Sequence, residues 1–75
     1  MKYFNITIKW EDGSRQSEVA EPTLCESCDD FINFILQFEN RPEIIKKLKT
    51  RDYIREFIDV EDDSPYAYEM ITITL

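Results

Sequence analysis

The chain predicts an α+β domain of order ββααββ, an antiparallel sheet of about four strands with helices packed on one face. Residues 2–10 alternate Phe4, Ile6, Ile8 and Trp10 with Tyr3, Asn5, Thr7 and Lys9, the period of a half-buried strand. Residues 24–38 instead place Leu24, Cys25, Cys28, Phe31, Ile32, Ile35, Leu36 and Phe38 on one side of a helix. Residues 66–75 return to strand-forming types with Tyr66, Tyr68, Ile71, Thr72, Ile73 and Thr74. At 75 residues with 43% apolar side chains, the chain has room for one domain, residues 1–75, around one core.

Each element has its own local signal. Asp12-Gly13 after the first strand is a hairpin turn, because glycine accepts positive φ without steric cost. A second strand is expected over 14–20; its polar run Arg15-Gln16-Ser17-Glu18 reads as a sheet edge guarded against aggregation. Pro22 ends it. Thr23-Leu24-Cys25-Glu26 has the form of a capping box, which places the start of the first helix at Thr23 and lets it run to about Asn40. Phe34 falls to the side of the apolar face. Arg41-Pro42-Glu43 opens a second helix over 42–49 with Pro at its first position, Ile44, Ile45 and Leu48 inward, and lysines at its C-terminal end. Residues 53–60 fit either helix or strand; the run Phe57-Ile58-Asp59-Val60 into Asp62-Asp63-Ser64-Pro65 favours a strand entering a turn.

The charge is high and uneven. Sixteen Asp and Glu face nine Lys and Arg, for a net charge of −7, and there is no histidine. Residues 11–40 hold eight acids and one base, residues 41–55 six bases and two acids, and residues 56–75 six acids and no base. Such a surplus opposes direct binding to nucleic acid or an anionic bilayer. The basic segment Arg41–Arg55 is interleaved with Ile44, Ile45 and Leu48, which reads as a solvated helix face pairing with nearby acids. No apolar run approaches the roughly 20 residues of a membrane span. Met1-Lys2-Tyr3-Phe4-Asn5 lacks an apolar signal core, so the expected location is the cytoplasm.

The motifs that suggest chemistry are incomplete. Cys25-Glu26-Ser27-Cys28 has redox or metal spacing, yet acids surround it and both thiols fall on the apolar helix face. Two thiols without histidine do not complete a zinc site, so buried reduced cysteines are expected. Asp59-x-Glu61-x-Asp63 resembles the opening of a calcium loop but has Ser64 and Met70 where that loop needs Gly and Glu. With no nucleophile–base pair and no phosphate-binding glycine loop, the expectation is a protein that is not an enzyme, with no cofactor, no metal and no catalytic residue.

What remains is an acidic and aromatic surface. Glu61, Asp62, Asp63, Tyr66, Tyr68 and Glu69 lie close together in sequence, and Glu26, Asp29 and Asp30 on the polar side of the first helix extend the set. Tyrosines supply rigid contact area, and carboxylates meet Lys and Arg. These nine residues are the expected partner-binding surface.

The plan of a Tyr3–Trp10 strand, an Asp12-Gly13 turn, a polar strand and a capped helix from Thr23 resembles small phage and mobile-element proteins. In size and charge the chain is similar to anti-CRISPR proteins and other phage-encoded inhibitors of host machinery. That resemblance implies carboxylates offered where a host enzyme expects nucleic-acid phosphates. The expected partner is then a basic protein, a nucleic-acid-binding effector complex, met in the host cytoplasm by a monomer or homodimer. Charge alone equally admits an immunity or antitoxin protein for a basic nuclease toxin. The apolar run Met70–Leu75 with Phe34 admits a homo-oligomeric structural module.

Overall fold

In the computed structural model, residues 1–19, 21–59 and 67–75 are described. They form a mixed α/β fold, an open five-stranded sheet with two helices. The strands are β1 (Lys2–Lys9), β2 (Arg15–Ser17), β3 (Thr23–Cys25), β4 (Ile54–Ile58) and β5 (Tyr68–Thr74). The helices are α1 (Cys28–Leu36) and α2 (Pro42–Lys49).

The sheet runs β2-β1-β5-β4, and β3 pairs with β1 beyond the end of β2 on the same side. The β1/β2, β1/β3 and β4/β5 pairs are antiparallel, whereas β1 and β5 are parallel, with Ile6 opposite Ile71 and Ile8 opposite Ile73. This corrects the expected order: a third strand precedes the helices, giving βββααββ, and the centre of the sheet is a parallel pair. The physical reason is the route of the chain. It passes from β3 on one side of β1 through both helices to β4 on the far edge, then returns as β5 into the gap beside β1. Parallel neighbours need such a crossover; a hairpin cannot join them.

The core sits between one sheet face and the helices. Phe4, Ile6, Ile8, Ile71 and Ile73 pack with Cys28, Phe31, Ile32, Ile35, Ile44 and Leu48 in one buried cluster. The Phe4 and Phe31 rings stack at 5.5 Å. The strand residues in this cluster share one face through the β1/β5 register, so both helices cover the same side, as expected.

Local signals hold at several places. Gly13 has φ +88° in the β1–β2 turn, with Gly13 N–H donating to the Trp10 carbonyl at 2.9 Å. The Asp12 carboxylate accepts from the Ser14 amide at 2.8 Å and hydroxyl at 2.6 Å, which holds its pKa below the ordinary value. The second helix occupies 42–49 as expected, with Pro42 in its first turn, although Ile45 is only half-buried. Residues 54–58 are a strand, the favoured reading.

The N-terminus of α1 differs. Thr23 lies in β3, paired opposite Phe4, and the helix is capped by Ser27, whose hydroxyl accepts from the Asp30 amide at 3.2 Å. Ser27, four residues later, is also a residue type that caps helices, and pairing along the free half of β1 selects it over Thr23, since backbone ladder bonds then satisfy 23–25. The helix also ends at Leu36, short of Asn40. Leu24 and Phe38 therefore leave the expected apolar helix face and are exposed. Phe38 instead meets Phe34 edge-on at 5.3 Å.

Candidate functional site

The ion pairs decide where free charge remains. Arg41 donates to Glu18 at 2.7 Å and to Glu39 at 2.9 Å, Lys47 pairs with Asp52 at 2.9 Å, Arg51 with Asp29 at 3.3 Å, and Arg55 with Glu69 at 2.9 Å. The basic segment thus pairs largely within the chain. Its two carboxylate hydrogen bonds push the Arg41 pKa up, and Arg41 in turn holds the Glu39 carboxyl below the usual range. Among the described residues Glu11, Asp12, Glu21, Glu26, Asp30, Glu43 and Glu56 enter no ion pair.

The registers bring several of the expected site residues to one end of the sheet. Thr23, Phe4, Glu69 and Phe57 form one row across it. Just past that row lie Cys25 and Glu26 on one side, and on the other Asp59 and Ala67, the residues that flank 60–66. Asp29 and Asp30 are exposed in the first turn of α1, where their charge complements the helix dipole. Glu26 is exposed between β3 and α1.

The adjacent residues Tyr68 and Glu69 separate. Glu69 faces the helix side in its row with Phe4 and is already neutralised by Nε and Nη2 of Arg55, which donate to its two oxygens at 2.9 and 3.1 Å. Tyr68 lies on the open face, opposite Ile58, with Tyr3 and Leu24 paired on the same face. Glu61, Asp62, Asp63 and Tyr66 lie outside the described residues, as does most of the calcium-like Asp59–Asp63 motif.

Beside Asp29 a groove of about 400 Å³ runs between the helices. Its floor is Ile32, Leu36 and Leu48, and its rim Asn33, Lys49, Arg51 and Tyr53. Arg51 holds φ 59°, a conformation that ordinarily takes glycine at a helix C-terminus. It ends α2 by donating to the Leu48 carbonyl at 3.3 Å, while Asp52 N–H donates to Lys47 at 2.9 Å. The turn aims the Arg51 guanidinium back at Asp29.

Both cysteines are free, Cys28 buried and Cys25 half-buried on β3. Burial pushes both thiols up, with Asp30 adding to the effect at Cys25 and the Arg55 charge opposing it at Cys28. The Cys28 sulfur lies 4.0 Å from the Tyr53 hydroxyl. Thiols held protonated are poor nucleophiles and poor metal ligands. Among the described residues no three Cys, Asp or Glu side chains converge as a metal-holding group, and no helix is long and apolar enough to cross a membrane.

The sequence marks Arg41 and Arg51 as members of a basic segment pairing with nearby acids and Phe57 as part of a strand; the partners Glu18 and Asp29 and the edge position of Phe57 are set by contacts distant along the chain. Comparison with protein-family models, curated proteins and solved structures finds no match to this chain.

Proposed function

We propose that this chain is a non-enzymatic protein inhibitor that docks its acidic end on a basic, nucleic-acid-binding surface of another protein. The observation that carries this reading is the separation of charge. Arg41, Lys47, Arg51 and Arg55 are bound to the chain's own acids, while Glu26 and Asp30 stay unpaired beside the α1 N-terminus and Glu21 stays unpaired ahead of β3. Asp59 and Ala67, which flank the acidic run 60–66 in the sequence, lie at that same end of the sheet. A partner with an excess of Lys and Arg is steered to this end and pairs with carboxylates that have no internal partner. The net charge of −7 also excludes competing polyanions from the surface.

The partner class follows from the chemistry. Surfaces with dense, unpaired positive charge are those that hold nucleic-acid phosphates, so the chain acts there as a mimic or a steric block. In size and charge this is the behaviour of phage anti-defence proteins of the anti-CRISPR kind, working in the host cytoplasm on an effector complex.

The test is affinity capture from bacterial lysate at low and high salt, with mass spectrometry of the retained proteins. The expected catch is a nucleic-acid-binding complex that is released as the Debye length shrinks from about 10 Å at 0.1 M toward 3 Å at 1 M. Replacing Glu26, Asp30, Asp62 and Asp63 by Asn or Gln should abolish capture, while the same change at Glu11 and Asp12 in the β1–β2 turn should leave it. Capture that survives the first set of changes overturns the proposal.

A further inference from the structure

The two edges of the sheet are built differently. On one side β2 and β3 are three residues each and are separated by the loop between Ser17 and Thr23, so they offer no continuous ladder. On the other side β4 has five residues in register with β5, and among the described residues no strand pairs with its outer edge. Ile54 and Phe57 on this strand are 58% and 66% exposed. An unpaired edge with exposed large apolar residues is a template for another strand.

We propose that β4 pairs antiparallel with β4 of a second copy of this chain, centred on Phe57, and so joins two sheets into one. The register is selected by charge. Pairing about a two-fold axis sets one residue opposite itself, with neighbours matched symmetrically on either side. Centring on Ile54 sets Asp52 against Glu56, centring on Arg55 sets arginine against arginine, and centring on Glu56 sets glutamate against glutamate. Like charges directly opposed are destabilising. Centring on Ile58 sets Phe57 against Asp59 and so gives up the pairing of the two exposed Phe57 rings with each other. Centring on Phe57 alone sets aromatic against aromatic, Arg55 against Asp59 of the second copy, and Glu56 against Ile58. Arg55 and Phe57 lie on the helix side of the sheet, where Glu69 already holds the guanidinium in place for a second carboxylate.

This pairing takes only Asp59 from the acidic end and carries the opposite salt dependence. Two chains of −7 repel, so added salt strengthens the dimer while it weakens docking to a basic partner. It also replaces Met70–Leu75 as the self-association strand, because β5 is paired on both sides.

The test is light scattering across a concentration series, combined with oxidative cross-linking by diamide. The expected mass rises from 9.0 kDa toward twice that value. Phe57→Lys should raise the dimer dissociation constant by about tenfold or more with an unchanged circular dichroism spectrum. Should that variant lose its fold, Asp59→Lys opposes Arg55 with a like charge and should weaken the dimer in the same way. Phe57→Cys should cross-link to itself, since directly opposed Cβ atoms lie about 4.5–5.5 Å apart, whereas Glu56→Cys should not. A monomer at every concentration overturns the proposal. So does a dimer indifferent to Phe57→Lys and Asp59→Lys, or one in which Glu56→Cys cross-links and Phe57→Cys does not.

Discussion

β1 and β4 belong to the same sheet, yet one is sealed on both faces and the other is open. Phe4, Ile6 and Ile8 of β1 are buried beneath the helices, and on the opposite face Asn5 and Thr7 are buried too. Asn5 is 7% exposed and its side-chain oxygen accepts from the Ile6 amide at 2.7 Å, while the Thr7 hydroxyl lies 3.2 Å from the Met70 sulfur. In β4, by contrast, four of five residues are exposed, including an isoleucine and a phenylalanine. The difference is one of place. A central strand gains side-chain neighbours from both flanking strands, so even its outward polar residues lose water, whereas an edge strand exposes whatever it carries. Apolar identity alone therefore does not assign a residue to the core of this protein.

The largest effect that can break the comparison is a truncation matched between the two strands. Ile6→Ala should cost about 3–4 kcal/mol, because the vacated volume is enclosed by Ile71 and the helices and cannot collapse fully. Phe57→Ala should change the stability of the monomer by about 0.5 kcal/mol or less despite removing a larger side chain. Urea unfolding at a protein concentration low enough to keep the chain monomeric reads both. Equal losses would mean that β4 is covered in solution and that its exposure is not a property of the folded chain.

A second matched pair sharpens the contrast through charge. Arg41 bridges Glu18 and Glu39, so it ties the chain after β2 to the segment between the helices. One Glu18 oxygen is buried without a hydrogen-bond partner. Removing Arg41 leaves two largely buried carboxylates without their cation, and Arg41→Ala should cost about 2 kcal/mol. Arg55 makes an equally short pair with Glu69, whose side chain is as enclosed as that of Glu18, but the arginine side chain is itself half exposed at the sheet edge and one carboxylate depends on it rather than two. Arg55→Ala should cost about 1 kcal/mol or less in the monomer. The same urea titration decides it: an Arg55 loss as large as that of Arg41 would break the assignment of β4 as the weakly held edge.

How much of this was legible in the sequence depends on distance along the chain. The β1 alternation, the Asp12-Gly13 turn, α2 with Pro42 in its first turn and the strand at 54–58 all rest on neighbours within a few residues, and all are present. The start of α1 was not legible, because Thr23 and Ser27 are both good caps and the choice between them is made by pairing with Lys2–Phe4, some twenty residues earlier. The parallel β1/β5 centre was hidden for the same reason. No local pattern says which strand returns to the middle. Of the expected surface, Asp29 and Asp30 share the first turn of α1 as helix spacing requires, whereas Glu26 falls ahead of the Ser27 cap because the helix starts later than Thr23. The internal partners of Asp29 and Glu69 arise from long-range contacts, and alternation along β5 sends Tyr68 and Glu69 to opposite faces.

The smallest expected effect concerns pH and narrows sixteen carboxyls to those that Arg41 holds. Glu39 accepts from the Arg41 side chain and from the Arg41 and Asn40 amides, and these bonds hold its pKa below the ordinary 4.5 against the opposing effect of burial. A carboxyl lowered in the folded state binds fewer protons there than in the unfolded chain. It contributes stability that is fully present above its unfolded pKa and is lost as pH falls through the folded one. Acidification protonates many other carboxyls as well, so the wild-type curve alone does not assign the change. The quantity to follow is the stability gap between wild type and Arg41→Ala, measured by urea midpoint from about pH 7 to about pH 3, since groups remote from Arg41 titrate alike in both chains. That gap should hold steady at neutral pH and narrow below the ordinary carboxylate range as Glu39 takes up its proton. A gap that stays constant to the acid end would show that Arg41 acts through packing of its stem, and that the charge pairing beside the sealed half of the sheet contributes no more than the exposed pair at its edge.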